Sequence, residues 1–247
     1  MSETEVDLLT PDGAMNTVVI HPDEGGPFPV VLLLMDANGI RECLTDIARR
    51  IATVGYYVVM PNLFYRKARS VHIGPTRNHP DAEANLKKLQ SYVGSLNNGL
   101  VASDVGAVLD FLLEQEQGKS GPVGVVGYCM SGAFAMTSAA RYRDRIGCVA
   151  SYYGTRLVTD REDSPHLVAK DISAEMYFAF AEHDHYVPLE TVDKFKSILE
   201  ATGARHRVEV YPGTDHGFVF ADRPTFNKAA SEKHWERLFP LLLRTLG

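Results

Sequence analysis

GPVGVVGYCMSGAFAMTSAA, residues 121–140, decides the fold. The apolar, β-branched run Val123, Val125 and Val126 has the length of a strand buried on both faces, and Ala133, Phe134, Ala135 and Met136 then favour a helix. Between them stands Gly127-Tyr128-Cys129-Met130-Ser131-Gly132. A strand that turns into a helix this abruptly forces its central residue into a strained backbone, so its neighbours must be small for strand and helix to approach. Gly127, Ser131 and Gly132 meet that demand. The layout is a nucleophile elbow with Cys129 at its tip. The Met130 amide then opens a helix, where backbone N–H groups and the helix dipole favour developing negative charge. Cys43 and Cys148 lie in helical or strongly apolar surroundings and read as ordinary buried cysteines.

Working outward, strands and helices alternate. Residues 5–9 and 16–20 read as a peripheral antiparallel pair turning at Pro11-Asp12-Gly13, and residues 30–35 as a fully buried strand ending in Asp36-Ala37-Asn38-Gly39. An amphipathic helix over 41–54 and a strand over 56–60 complete a βαβ unit. Residues 61–99 lose periodicity apart from a weak helix at 82–92. They read as an excursion over the sheet edge, serving either as a lid or binding loop or as a plain surface detour. A helix over 100–116 leads into the elbow, and strands follow at 146–152, 174–181 and 208–211, with a helix over 189–201. A turn at 212–217 precedes a final helix over 225–246, which Pro240 is expected to kink or divide. The order implies one doubly wound, mostly parallel α/β sheet flanked by helices, organised as a single domain over 1–247, with its site at the carboxyl ends of the strands.

The 247 residues are 45% hydrophobic, enough for a sizeable core, and the net charge of -6 provides no basic field for nucleic acid. Three irregularly spaced cysteines make neither a disulfide framework nor a zinc site. The acidic N-terminus lacks the order of a signal peptide and no apolar run approaches a membrane span, so the expectation is a soluble, cytoplasmic protein acting on a small molecule without cofactor or metal. The oligomeric state is left open.

Three strand ends carry reactive side chains in the order Cys129, Asp184, His216. All should emerge on one edge of a parallel sheet, as nucleophile, acid and base. His216 lies on a terminal loop framed by Gly213 and Gly217, whereas His183, His185 and His206 lack that frame. Asp184 directly follows a strand, unlike Asp193 on a helix or Asp215 beside the histidine; its competing role is a helix cap. In this arrangement the thiolate attacks a carbonyl carbon, His216 manages the proton and Asp184 orients the imidazole. The oxyanion falls between the amides of Met130 and Ala37.

The segments GYCMSG, MDANGIRE, GYYVVMPNLFYR, AEHDHYVP and YPGTDHGF, in this order, resemble the dienelactone hydrolase family of α/β-hydrolases over nearly the whole chain. The resemblance implies an α/β-hydrolase fold, hydrolysis of a carboxylic ester or lactone through a thioester, a Cys129–Asp184–His216 triad and oxyanion amides at Met130 and Ala37. It also implies a thiol-adjacent acid at Asp36, where the family usually has glutamate. Ser131 replaces a usual glycine, and Phe220 stands where the dienelactone enzyme carries an arginine for the substrate carboxylate. Phe220 is therefore expected to offer apolar surface to a neutral substrate, with Arg77 as the candidate to restore a clamp. A thioesterase or acyl transferase using the same triad and a non-catalytic binding protein on the same fold are the competing readings.

Overall fold

In the computed structural model, which describes residues 1–247 except 75 and 77, eight strands form one sheet in the order β1-β2-β4-β3-β5-β6-β7-β8. The strands are β1 (Ser2–Thr10), β2 (Gly13–His21), β3 (Val30–Leu34), β4 (Tyr57–Pro61), β5 (Val123–Tyr128), β6 (Ile146–Tyr152), β7 (Glu175–His183) and β8 (His206–Asp215). β1 and β2 run antiparallel at one edge, and β3 through β8 are parallel. Every residue of β3, β4 and β5 is buried, as their unbroken apolar runs require of central strands covered on both faces.

The helices form two packed groups. α1 (Glu42–Thr53) turns Leu44, Ile47, Ala48 and Ile51 to the sheet and meets α6 (Lys228–Leu246), where the Arg50 guanidinium lies over the Trp235 ring, 4.4 Å from its centroid. On the other side α3 (Asn98–Phe111) packs on α4 (Ser131–Arg141), and a 3₁₀ segment (Pro165–Asp171) joins α4 to α5 (Leu189–Thr202). α2 (Ala82–Val93) buries none of its side chains and is tied down by Lys67 and Lys88, which bond the carbonyls of Ser91 and His72. α2 belongs to the irregular excursion, which starts from the buried residues Asn62, Leu63 and Phe64.

Two expectations need correction. β8 does not end at Tyr211 but continues through Pro212 and Gly213 to Asp215. It is an edge strand, so the missing N–H of Pro212 breaks no ladder between two neighbours, and a register shift between Ala181 and His183 absorbs the irregularity. Pro240 does not divide α6, which stays one helix from Lys228 to Leu246. Both Pro240 and Glu236, whose carbonyl loses its partner, face solvent, while Trp235, Leu238 and Leu242 hold the helix on the core.

Candidate active site

Cys129 adopts φ 56, a left-handed backbone rare outside glycine, at the junction of β5 and α4. Such strain persists only where the surroundings enforce it. A Cβ at Gly127 would lie 2.4 Å from the Ser131 carbonyl oxygen, and one at Gly132 would lie 2.3 Å from the Ser151 hydroxyl and 2.7 Å from the Gly154 Cα. No side chain fits either position, which is why the motif needs glycine there. The Cys129 N–H donates to the Tyr152 carbonyl at 3.1 Å, and its own carbonyl accepts from the Thr155 amide at 3.0 Å. The Ser131 hydroxyl donates to the Met35 carbonyl at 2.5 Å.

Sheet register brings Asp184 and His216 together. His183 on β7 sits opposite Asp215 on β8, so the next residues, Asp184 and His216, leave the sheet side by side. His216 Nδ1 lies 2.7 Å from Asp184 Oδ2, and the other carboxylate oxygen accepts from the Tyr186 amide at 2.9 Å. The helix-cap alternative for Asp184 is not realised, since α5 begins after Pro188 without a side-chain cap. Gly217, at φ 91, makes the turn that returns the chain over the site, and Thr225 Oγ1 donates to the His216 carbonyl at 2.9 Å. The imidazole is held edge-on between Tyr153 and Tyr186, with ring centroids at 5.0 and 4.8 Å.

The His216 Nε2 is buried and makes no hydrogen bond of ordinary geometry within the described residues, yet the Cys129 sulfur is close enough to act on it electrostatically. Burial disfavours the imidazolium, but the neighbouring Cys129 sulfur and the hydrogen bond to Asp184 outweigh it and push His216 up to about 10. The half-buried Cys43 and the buried Cys148 behave oppositely: burial pushes each thiol up to about 12. The amides of Met130, at the start of α4, and Ala37, just past β3, donate no hydrogen bond among the described residues.

Asp36, which the resemblance implies as the thiol's neighbouring acid, makes its hydrogen bonds with other partners among the described residues. Its carboxylate, 1% exposed, accepts from Arg41 Nη1 at 2.7 Å, Arg41 Nη2 at 3.2 Å, Arg223 Nη2 at 2.8 Å and the Asn38 amide at 3.0 Å. With one methylene fewer than glutamate and this many donors, it anchors two arginines. Burial lowers the proton affinity of both guanidiniums, but Asp36 more than restores it and both end above the ordinary arginine value.

Phe220 also departs from expectation. It is fully buried against Tyr128 and Tyr153, with the Arg41 guanidinium 4.5 Å from its ring centroid, so it presents no surface to a substrate. Arg77 lies outside the described residues. The sequence reading missed Arg41, Arg223 and Tyr153. Tyr153 carried a usable signal, because it directly follows a strand, just before Gly154, on the reactive edge; it adopts φ 41, and its fully buried hydroxyl has no partner among the described residues. Arg41 read only as a helix start, and Arg223 as loop.

The chain matches the sequence profile of the Dienelactone hydrolase family over residues 15–246. A relative from Methylorubrum extorquens, carried under the name of a candidate carboxymethylenebutenolidase, is 28% identical over 239 residues, which is 95% of this chain and 78% of the relative. A similarly named protein of Escherichia coli K12 is 28% identical over 86% of this chain and 76% of its own length. Among solved structures, a candidate dienelactone hydrolase from Klebsiella pneumoniae superposes with a TM-score of 0.85 at 22% identity, covering 98% of both chains. A dienelactone hydrolase-like promiscuous phosphotriesterase from metagenomic libraries gives 0.81 at 18% identity, covering 100% of this chain and 99% of that one.

Proposed function

The chain belongs to the dienelactone hydrolase family and is a hydrolase, and on that premise we propose that it cleaves a carboxylic ester or lactone through a thioester on Cys129. The observation that carries the reading is the coupled set Cys129, His216 and Asp184: an imidazole 2.7 Å from a buried carboxylate on one side and under the influence of an elbow sulfur on the other.

His216 lies beside the Cys129 sulfur and takes its proton as the thiol is activated, the partnership that makes a cysteine nucleophilic. The sulfur attacks the carbonyl carbon, forming a C–S bond while the carbonyl π electrons move to oxygen. That oxyanion is received by the N–H groups of Met130 and Ala37; loss of one such donor typically lowers turnover by about 10² to 10³. Collapse of the intermediate breaks the C–O bond, and His216 gives its proton to the departing alkoxide. In a lactone the alkoxide stays tethered to the acyl group. Water then attacks the thioester, neutral His216 accepts its proton, and the thiolate leaves. Asp184 holds the Nδ1 side throughout, so that Nε2 stays turned to the chemistry.

The test is steady-state hydrolysis of a panel of short-chain esters and lactones by wild type and Cys129→Ala. Turnover in wild type that disappears in the variant is expected. Equal turnover in both removes Cys129 from the reaction.

A further inference from the structure

Under the reading above, one oxyanion needs two amides from two separate branches of the chain. The last ladder pair joining β3 to β5 is Leu34 opposite Gly127. Past it the branches part: residues 35–37 lead toward α1 with the Ala37 amide, and residues 128–130 lead into α4 with the Met130 amide. Sheet pairing no longer fixes their separation. The elbow's backbone bonds run to the opposite side, from Cys129 to Tyr152 and from Thr155 to Cys129. Among the described residues, the only hydrogen bond that joins residues 129–132 to residues 35–37 is the 2.5 Å bond from the Ser131 hydroxyl to the Met35 carbonyl, between two residues that are both 0% exposed.

We propose that Ser131 is a positioning residue that sets the spacing of the Met130 and Ala37 amides. The bond grips the carbonyl two residues before Ala37 with the side chain one residue after Met130, so a shift of either branch must stretch it. Buried on both sides, the bond is shielded from solvent, and the Met35 carbonyl accepts no other hydrogen bond among the described residues. A glycine at this position would leave the two branches to be held by packing alone. Ser131 does not touch the reacting atoms in this account; it acts through the amides, and the proposal rests on the thioester reading.

The experiment separates two reactions of the same sulfur. Acylation of Cys129 by a p-nitrophenyl ester creates an oxyanion. Alkylation by iodoacetamide displaces iodide at a saturated carbon and creates none. Both rates are measured by rapid mixing in wild type, Ser131→Ala and Ser131→Gly, together with kcat and KM for the ester. The proposal expects acylation and kcat to fall about tenfold, equivalent to about 1.4 kcal/mol, with KM and the alkylation rate within twofold of wild type. Acylation left unchanged in both variants overturns it. So does an equal fall in acylation and alkylation, which would make Ser131 a general support of the elbow. A wild-type protein that is alkylated at Cys129 but never acylated refutes the hydrolase mechanism itself and takes this proposal with it.

Discussion

Replacing His234 by glutamine should remove a large part of the protein's acid sensitivity. His234 on α6 is fully buried, and its Nε2 shares a 2.8 Å hydrogen bond with the hydroxyl of Tyr128, the residue before the elbow cysteine. Its Nδ1 is buried without a partner among the described residues. Burial, with a smaller push from Arg50, lowers its pKa from 6.5 to about 3. The sign follows directly. Below pH 6.5 the unfolded chain takes up a proton on this histidine that the folded chain refuses, so stability falls with falling pH until about 3. Each pH unit in that window costs about 1.4 kcal/mol, so moving from pH 7 to about pH 4.5, roughly two units below 6.5, costs roughly 3 kcal/mol from this group alone. Glutamine offers Tyr128 a polar neighbour and does not titrate. Its own packing cost is the same at both pH values and cancels in the double difference. Urea unfolding at both pH values should therefore show the wild-type advantage over His234→Gln shrinking by roughly 3 kcal/mol on acidification. A change below about 1 kcal/mol would refute the buried neutral histidine.

Brief iodoacetamide treatment at neutral pH should label Cys129 alone by peptide mapping, because burial pushes Cys43 and Cys148 up to about 12; equal labelling of either would contradict the electrostatics. His216→Ala and Asp184→Asn should each slow acylation of Cys129, by up to about 10⁴-fold, with unchanged circular dichroism, and near wild-type turnover in His216→Ala would remove it from the mechanism. Asp36→Asn leaves two arginines around a neutral group and should destabilise the fold by about 3 to 5 kcal/mol in urea unfolding; an unchanged midpoint would show that Asp36 is not their anchor. Phe220→Arg should lower the melting temperature instead of switching substrate preference, because it buries a cation beside Arg41; a stable variant newly selective for carboxylate-bearing esters would reverse that assignment.

The α/β architecture was legible because central strands and amphipathic helices follow different periods, and strand ends placed Cys129, Asp184 and His216 on one edge before any geometry was known. Asp184 and His216 proved to meet at 2.7 Å, and the glycines at 127 and 132 proved to be demanded by the close approach of Ser131 and Gly154. What could not be read was which charges pair across long separations. The Asp36–Arg223 ion pair spans 187 residues, and nothing in either local sequence points to the other. The length of β8 was missed for a related reason, since Pro212 and Gly213 signal a turn unless it is known that their strand lies at the sheet edge. Phe220 was misplaced because the resemblance supplies a position in the sequence, whereas burial depends on how Tyr128, Tyr153 and Arg41 close around it.

The central claim is the thioester. The protein, mixed with a slowly hydrolysed activated ester and quenched in acid within the first turnovers, should gain the mass of one acyl group, and peptide mapping should place it on Cys129. The adduct should be lost on hydroxylamine treatment and absent in Cys129→Ala. Multiple turnovers of ester with no acyl adduct at any quench time, or an adduct on another residue, would contradict the account.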